Sequence, residues 1–568
     1  MSEVTIEKSS VETIMRDGTV LGADLYLPEG DGPFPTIVER TAHYKDRVFS
    51  NPLFTFLAEN GYAVLAQNAA DRWRIERDVR PFFTYGLTDA DDGFDTIEWA
   101  AAQDWCDGKI GGYGFSYPAW CQWMLAAEKP PHLVAMFNGG MTPRTTDWQM
   151  GGVYRIGRQL QWTLGPMAAD TQRWFEEPHG PDSYDAYWNQ KNTIDRDKWL
   201  WYLPQKDLPL EMIGGIRERY VEWLDHMHED RWKLDQNFGK IDIPVFHRTS
   251  WYDRLSRTVE MFTGMQKLAP SEETRAAQRM IIGPWSHKGS HLLPRQVAEV
   301  DFGPAAEQNV FDWIVPWFDY WLKGIQNETM DSAPVRLFVM GKNEWRNEQE
   351  WPLSRALQTE FYLHSDGSAN TPSGDGSLTV DVPQNEPSDN YSYDPRDPVM
   401  TLFHNESQDE PHDQRVLDHR RDVLIYQTEP LDSPIEVTGV PQITLYASSS
   451  ARDTDFTAKL IDVYPDGFSQ DLCYGIVRAR FREGFDTPKL LEAGVVYEYN
   501  IELMPTSNLF QKGHRIRVDI SSSDFPNFDR NHNTGGDDYG ETDLIVADQT
   551  VFHDRDYPSR ITLPVVEG

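Results

Sequence analysis

Ser116 lies in a part of the sequence whose residue types could support nucleophilic catalysis. It follows a short apolar run at Lys109-Ile110 and precedes a helix-like segment, Trp120 to Glu128. A serine at such a strand-to-helix turn is typical of a nucleophile elbow, where small residues permit the strained turn that exposes the hydroxyl. Gly114 fills the first glycine position of the Gly-x-Ser-x-Gly pattern, but Pro118 replaces the second. By itself the motif therefore also fits an ordinary glycine-rich turn.

Two further residues, Asp253 and His287, complete a catalytic set in the order serine, acid, histidine. Serine needs a base within hydrogen-bond reach, and the base needs an acceptor that fixes its tautomer. Both residues come just after a predicted strand, at the sheet edge where α/β proteins build their sites. We predict that Ser116 is the nucleophile, His287 the base and Asp253 its partner. His247 and His291 are the alternative bases.

The backbone of Tyr117 and one early loop are the predicted source of the oxyanion hole. The residue after the nucleophile normally donates its N–H to the developing oxyanion. A second donor normally comes from the loop after an early strand, here Arg40 to Lys45. His43 and Tyr44 are both able to donate from this loop, and the sequence leaves the choice between them open.

Alternating strand and helix patterns surround these residues and predict a mostly parallel sheet covered by helices. Between residues 144 and 239 no convincing strand occurs, and tryptophans are frequent. We interpret this stretch as a helical cap over the site, although helix packing alone also explains its aromatic residues. The candidate substrate-binding residues are Trp148, Tyr154, Trp162, Trp174 and Phe175, with Trp251 from a strand.

From about Glu350 the pattern changes to short alternating runs separated by turns, which predicts an all-β sandwich or jelly roll. Within it, Asp381 to Asp397 is interpreted as a solvated polar excursion. The predicted fold is an α/β-hydrolase domain with a helical cap insertion and a C-terminal all-β jelly-roll domain. The predicted bounds are 1–143 with 240–349 for the catalytic domain, 144–239 for the cap and 350–568 for the jelly roll.

Composition argues against several classes of partner. A formal charge of −37 over 568 residues disfavours nucleic acid and anionic membranes, which need clustered Lys and Arg. We find no secretory signal and no run of about 18 apolar residues. Three scattered cysteines, without metal-ligand spacing, favour a reducing cytoplasm. We expect a small-molecule ester or amide substrate, no cofactor and no metal; a homo-oligomer is an open alternative.

Several longer motifs carry a family resemblance. They are Trp105-Cys106-Asp107-Gly108, Ser116-Tyr117, Trp251-Tyr252-Asp253, Gly283-Pro284-Trp285-Ser286-His287, Trp317 to Gly324, Val339-Met340-Gly341, Pro505 to Asn508 and Ser521 to Pro526. With these motifs the chain resembles, nearly end to end, the serine hydrolases that include cocaine esterases, α-amino acid ester hydrolases, glutaryl acylases and X-Pro dipeptidyl-peptidases. The resemblance implies the same three-domain fold and the same roles for Ser116, Asp253 and His287.

Two departures from the family pattern concern the site. The family elbow usually reads Gly-x-Ser-Tyr-x-Gly, whereas this one ends Pro118-Ala119, and proline is acceptable in the first turn of a helix. The family loop usually reads Arg-Thr-Pro-Tyr-x-Lys, with its tyrosine donating to the oxyanion. Here His43 occupies that position and Tyr44 comes one residue later.

The sequence thus predicts a serine hydrolase that cleaves an ester or amide of a small carboxylic acid through an acyl-enzyme. An X-Pro dipeptidyl-peptidase-like aminopeptidase is the nearest alternative. A non-catalytic carbohydrate-binding or scaffold protein is the alternative from another class.

Overall fold

The computed structural model describes residues 6–41, 51–69, 89–144, 148–164, 198–209, 213, 217–230, 232–287, 290–402 and 411–567. Two large sheets organise these residues, one on each side of residue 350. The first carries the predicted site residues at its edge.

In the described ranges, sixteen strands precede residue 350. They are β1 (Glu7–Ile14), β2 (Val20–Leu27), β3 (Phe34–Thr41), β4 (Ala63–Asn68), β5 (Cys106–Phe115), β6 (Leu133–Gly139), β7 (Gln149–Met150), β8 (Val153–Tyr154), β9 (Val245–Tyr252), β10 (Arg279–Ser286), β11 (Leu292–Leu293), β12 (Gln296–Val297), β13 (Val300–Asp301), β14 (Gln308–Asn309), β15 (Val335–Val339) and β16 (Glu344–Glu348). Ten of them form one sheet in the order β1-β2-β4-β3-β5-β6-β9-β10-β15-β16. The pairs from β4 through β15 are parallel, so the carboxyl ends of these strands lie along one edge, where α/β sheets place their sites.

Helices cover both faces of this sheet. The described helices are α1 (Asn51–Glu59), α2 (Asp89–Ala101), α3 (Tyr117–Ala127), α4 (Ile156–Trp162), α5 (Arg217–Asp225), α6 (Thr258–Leu268), α7 (Glu272–Ala276) and α8 (Phe311–Trp321). Neighbouring residues of β3 point to opposite faces, as the strand period of two requires. Ile37 joins the core that includes Phe54 of α1 and Trp317 of α8, whereas Val38 joins the core that includes Trp120 of α3. This confirms the prediction, made from the alternating strand and helix patterns, of a mostly parallel sheet covered by helices.

The stretch 144–239 contains a short hairpin that the sequence analysis did not predict. β7 and β8 pair antiparallel, with Gln149 opposite Tyr154. Gly151 and Gly152 form the turn, with φ of 57° and 84°, a region that glycine enters without strain. A Cβ on Gly151 would lie 1.9 Å from the carbonyl oxygen of Ile476, so the close approach of another strand requires glycine here. Two-residue strands are too short to produce a visible alternation, and this is why the sequence did not reveal them.

The residues after 350 form a second, β-rich domain. Its strands are β17 (Ala356–His364), β18 (Ser377–Thr379), β19 (Asp389–Tyr393), β20 (Leu424–Gln427), β21 (Ile435–Gly439), β22 (Gln442–Ser449), β23 (Asp455–Val463), β24 (Ser469–Arg478), β25 (Tyr497–Glu502), β26 (Thr506–Phe510), β27 (Arg515–Ser521), β28 (Ala547–Phe552) and β29 (Arg560–Val566). The pairs are antiparallel except β18–β20. The chain therefore has an α/β-hydrolase-like domain followed by a large β domain.

One prediction for this domain is wrong. The segment Asp381 to Asp397 is not a solvated excursion, because β19 lies within it and pairs with β28. Tyr391 and Tyr393 of β19 are 5% and 0% exposed, and the Tyr393 hydroxyl donates to the Asn531 carbonyl. The alternate residues of β19 are polar and face solvent, so the average polarity of the segment concealed a strand with one buried face.

Candidate active site

Ser116 lies at a sharp turn between β5 and α3. Its φ of 65° and ψ of −130° are in a region that non-glycine residues seldom occupy, at a cost of about 1 to 3 kcal/mol. Backbone hydrogen bonds hold this conformation: the Ser116 N–H donates to the Gly139 carbonyl at 2.9 Å, and the Ser116 carbonyl accepts from Ala119 and Trp120. The described structure therefore has the strained strand-to-helix turn of a nucleophile elbow.

Gly114 and Pro118 show how the unusual elbow sequence is accommodated. A Cβ on Gly114 would lie 2.4 Å from the Ala119 nitrogen, so this first glycine leaves room for the returning helix. Pro118 lies in the first turn of α3. A backbone N–H at that place has no acceptor within the helix, so proline removes no intrahelical hydrogen bond.

Asp253 and His287 follow neighbouring parallel strands, β9 and β10, and this brings them together at the same sheet edge. The Asp253 carboxylate is buried, and its Oδ1 accepts from the Leu255 N–H at 2.8 Å. Both carboxylate oxygens lie 3.0 Å from His287 Nδ1. Nε2 of the same imidazole lies 3.0 Å from Ser116 Oγ. The three side chains thus form a continuous hydrogen-bonded chain.

Burial and charge set the pKa values of the pair. Burial lowers the pKa of His287, and the nearby charges of Arg254 and Arg158 act in the same direction, while Asp253 opposes them. Burial alone would raise the pKa of Asp253, but His287, Arg254 and the Leu255 N–H outweigh it and leave that pKa below its ordinary value. At neutral pH the site therefore holds a carboxylate and a neutral imidazole, the pair that can accept the proton of a serine.

Residues beside the imidazole were not indicated by the sequence. The Phe115 ring centre lies 4.9 Å from that of His287, and the Arg248 guanidinium lies 4.6 Å from the Phe115 ring centre. A Cβ on Gly140, whose φ is 57°, would lie 3.1 Å from His287 Cε1. Nothing in the spacing of Arg248, Arg254 or Arg158 distinguishes them from other arginines, and only the fold places their charges near the site.

Comparison with known proteins identifies the family of the chain. The chain is 36% identical over 581 residues to the cocaine esterase of Rhodococcus sp. (strain MB1 Bresler), and the match covers 98% of each chain. This chain belongs to the S15 family of serine hydrolases. The X-Pro dipeptidyl-peptidase (S15) signature matches residues 17–289. The signature of the X-Pro dipeptidyl-peptidase C-terminal non-catalytic domain matches residues 327–562.

Solved structures support the fold of this S15 protein. An aminopeptidase from the marine sediment archaeon Thaumarchaeota archaeon has a TM-score of 0.82 and 23% identity, covering 99% of this chain and 97% of its own. An α-amino acid ester hydrolase has a TM-score of 0.77 and 23% identity, with 99% and 96% covered. Together with the esterase relative, the family assignment makes the chain an enzyme of the esterase and hydrolase type. The alternative of a non-catalytic binding or scaffold protein is therefore not retained.

The aromatic residues that were predicted to bind substrate lie in different surroundings where the structure describes them. Trp148 and Tyr154 are buried and pack edge-on against Trp223, at ring-centre distances of 4.3 and 5.3 Å. Trp251 is 2% exposed and donates from Nε1 to the Phe338 carbonyl, among the core residues of the sheet. Trp162 is the last residue of α4, and Trp174 and Phe175 lie outside the described residues. Contact of these residues with a substrate stays a prediction.

The two alternative bases lie in other surroundings. His247 is buried, with Nε2 3.0 Å from Gln278 Oε1, and burial lowers its pKa to about 4. His291 stacks on Phe311, with the ring centres 4.5 Å apart.

The predicted oxyanion-hole residues are described in part. Tyr117 begins α3 and packs against Trp120, whereas His43 and Tyr44 lie outside the described residues. Among the ranges described, none of the helices has the length and apolarity needed to cross a membrane.

The acid limb of the pH profile is a direct test of the pKa of His287. Its imidazole must be neutral to accept a proton, so kcat/KM falls as pH decreases through the pKa. Because that pKa is lowered, the midpoint of the limb is expected below 6.5. The measurement uses an ester without ionisable groups, and unfolding is followed at each pH to exclude acid denaturation. A midpoint above 6.5 in folded protein would contradict the electrostatic account.

Proposed function

We propose that this S15 protein hydrolyses an ester or amide of a small carboxylic acid through an acyl-enzyme on Ser116. The observation that carries the proposal is the chain of 3.0 Å contacts from Ser116 Oγ through His287 to Asp253, at a strained elbow. Serine without an adjacent base is a weak nucleophile at neutral pH. The partner of the protein in this proposal is a small molecule, not nucleic acid or a membrane.

The reaction consists of two acyl transfers. In the first, Ser116 Oγ attacks the carbonyl carbon while His287 Nε2 takes the hydroxyl proton; His287 then gives that proton to the departing alcohol or amine. In the second, His287 removes a proton from water as the water oxygen attacks the acyl carbon. His287 then gives that proton to Ser116 Oγ as the acyl bond breaks, which releases the carboxylic acid and restores the free serine. Asp253 accepts from Nδ1–H throughout and stabilises the imidazolium that forms in each step.

Stabilisation of the tetrahedral intermediates requires donors at the oxyanion. We assign one of them to the backbone N–H of Tyr117, because this residue follows the nucleophile and begins α3, whose N-terminus carries the positive end of the helix dipole. Each such donor is worth about 2.7 to 4 kcal/mol of barrier. The second donor is assigned to the 40–45 loop, with His43 and Tyr44 both retained as candidates.

The same proposal includes the finer domain assignment. We interpret residues 144–239 as a cap and the β domain from 350 to 568 as a jelly roll, supported by its almost entirely antiparallel pairing. Contacts between the domains support a shared site. The Tyr252 hydroxyl, one residue before Asp253, donates to the Asp471 carbonyl and accepts from Gln470 Nε2. The three cysteines are buried and none of them forms a disulfide, which supports a cytoplasmic location.

A second candidate function is removal of an X-Pro dipeptide from a peptide. It is favoured by the descriptions of both family signatures that match the chain. This reaction uses the same triad, and it differs in needing recognition of a free amino group and of proline. The two candidates therefore differ in substrate, not in chemistry.

A substrate panel tests the proposal. It contains p-nitrophenyl esters and anilides with acyl groups of varied size and charge, and Ala-Pro-p-nitroanilide, each scored by kcat/KM. We expect at least one simple ester to exceed Ala-Pro-p-nitroanilide by about tenfold or more, and a fluorophosphonate probe to label Ser116. If Ala-Pro-p-nitroanilide gave the highest kcat/KM, the X-Pro dipeptidyl-peptidase function would replace the one proposed. Turnover with the label on another residue would refute the mechanism.

A further inference from the structure

A group of potential ligands unrelated to the triad lies in the β domain, in the segment that follows β27. His532, Asp538 and Glu541 each present a ligand atom, and these atoms all lie within 4.8 Å of one another. The segment also contacts the N-terminal part of the chain. The Tyr539 carbonyl accepts from the Lys206 N–H at 3.0 Å, and Asp537 forms an ion pair with the Lys206 ammonium.

The imidazole of His532 is the observation that needs an explanation. Its side chain is 0% exposed, and neither ring nitrogen has a hydrogen-bond partner among the described residues. A buried polar group without a partner destabilises the fold, and polar side chains in protein interiors are normally hydrogen-bonded. The Nδ1 atom lies 3.7 Å from Glu541 Oε1. This distance is too long for a hydrogen bond.

The same distance is close to the one expected for two ligands of one metal ion. With metal–ligand bonds of about 2.0 to 2.1 Å, two ligand atoms in a tetrahedral site lie about 3.3 Å apart. The observed 3.7 Å therefore needs only a small inward movement of either side chain. A metal ion would satisfy the imidazole, which no donor or acceptor of the described residues does.

The two carboxylates are already oriented by neighbouring donors. Asp538 Oδ2 accepts from Arg478 and Arg480 at 2.9 and 3.2 Å, while Oδ1 is buried without a hydrogen-bond partner among the described residues. Glu541 Oε1 accepts from the Thr534 hydroxyl. Outer partners of this kind fix the orientation of metal ligands in known sites.

The surrounding charge also favours a cation. Arg478, Arg480 and Arg530 are the nearby cationic groups. They face four buried carboxylates, those of Asp453, Asp455, Asp529 and Asp538. Glu541 adds a fifth carboxyl group, so the carboxyl groups named here outnumber the guanidinium groups named here.

We propose that His532, Asp538 and Glu541 bind a divalent transition-metal ion, with Zn²⁺ as the best match, in a structural site of the β domain. One imidazole nitrogen with two carboxylate oxygens suits Zn²⁺, whereas Ca²⁺ prefers six to eight oxygen ligands. The Glu541 side chain is 25% exposed, which leaves room for water as a fourth ligand. The ion would fix the segment that contains Tyr539, whose ring centre lies 6.0 Å from that of Tyr154. This inference does not depend on the hydrolase mechanism.

The test uses the full chain after dialysis against a chelator. ZnCl₂ is titrated by calorimetry, and Tm is measured with Zn²⁺, Mn²⁺ or Ca²⁺. We expect one Zn²⁺ per chain and an increase in Tm of at least about 2 °C at a Zn²⁺ concentration 100-fold above Kd, the shift that follows when all 568 residues unfold as one unit. The hydrolysis rate at 25 °C is expected to stay within about twofold, because the three ligands are not part of the triad. Anomalous diffraction at the zinc edge would locate the ion.

Variants of the ligands and of an exposed histidine make the test specific. His532→Ala and Glu541→Gln are each expected to weaken Zn²⁺ binding by at least about tenfold, since loss of an outer partner alone already has an effect of this size. Glu541 is partly exposed, so its variant remains informative if His532→Ala does not fold. His226→Ala is the control, because His226 is an exposed histidine of the predicted cap that contacts Glu229. This variant is expected to bind Zn²⁺ as the unmodified chain does.

Three results would overturn the proposal. The first is no stoichiometric Zn²⁺ binding and no change in Tm for the unmodified chain. The second is full Zn²⁺ affinity in Glu541→Gln, which would place the ion elsewhere. The third is stabilisation by Ca²⁺ but not by Zn²⁺, which would exclude ligation by the imidazole of His532.

Discussion

Replacing Ser116 with alanine is expected to reduce kcat for ester hydrolysis by about 10⁶-fold, the loss seen when a triad nucleophile is removed. The reason is that alanine leaves the 3.0 Å site next to His287 Nε2 without an atom that can form the acyl bond. The residual rate would come from the oxyanion donors and substrate binding alone. Initial rates with a p-nitrophenyl ester and loss of fluorophosphonate labelling measure the effect.

The matched control for this variant is Ser256→Ala. Ser256 is also a serine of the catalytic domain, is 0% exposed, and has a hydroxyl with no hydrogen-bond partner among the described residues. The same chemical change there is expected to leave kcat within about twofold. Tm of both variants should stay close to that of the unmodified protein, because neither substitution creates a large cavity. Full esterase activity in folded Ser116→Ala would refute the assignment of the nucleophile.

Replacing Asp253 with asparagine is expected to reduce kcat by about 10⁴-fold with little change in KM. The Leu255 N–H donates to Oδ1 at 2.8 Å, so the amide oxygen of asparagine should take that position. Its NH₂ group would then occupy the Oδ2 position, 3.0 Å from His287 Nδ1. Nδ1 would have to accept a hydrogen bond, and the proton would move to Nε2, where it prevents the imidazole from taking the Ser116 proton. Steady-state kinetics near pH 7 measure the loss.

The control for this change is Asp462→Asn in the β domain. Asp462 is likewise a buried aspartate that contacts a histidine, with Oδ1 2.8 Å from His514 Nδ1, but no serine belongs to the pair. The substitution is expected to lower Tm and to leave kcat within about twofold. If Asp253→Asn also changed only Tm, then Asp253 would be a structural residue and the tautomer argument would be wrong.

The sequence by itself determined the order of strands and helices near the site. Buried strands such as β3 and β9 have runs of β-branched and aromatic residues, and α1 ends at an Asn60-Gly61 pair; these are local signals that short stretches carry. The positions of Asp253 and His287 after predicted strands were enough to nominate both, because parallel strands all end at one sheet edge.

The tertiary structure alone decided which nominated residues meet. Ser116 and His287 are 171 residues apart in sequence, and their 3.0 Å contact depends on the order of β5, β6, β9 and β10 in the sheet. Tertiary packing likewise decided the burial of Trp148 and Tyr154, the pairing of β19 inside a polar stretch, and the positions of the arginines around His287. Distances between distant segments come from packing, and no local pattern encodes them.

The ligand group at His532 shows the same division. The sequence contains its histidine and its acidic residues within ten positions, yet such a composition is common on protein surfaces. Only the folded domain buries His532 without a hydrogen-bond partner among the described residues. It also places a carboxylate oxygen of Asp538, which accepts from Arg478 and Arg480, within 4.8 Å of a ring nitrogen of His532. Residue types thus limited the chemistry that was available, and burial, which is set by the whole chain, selected the groups that can carry it out.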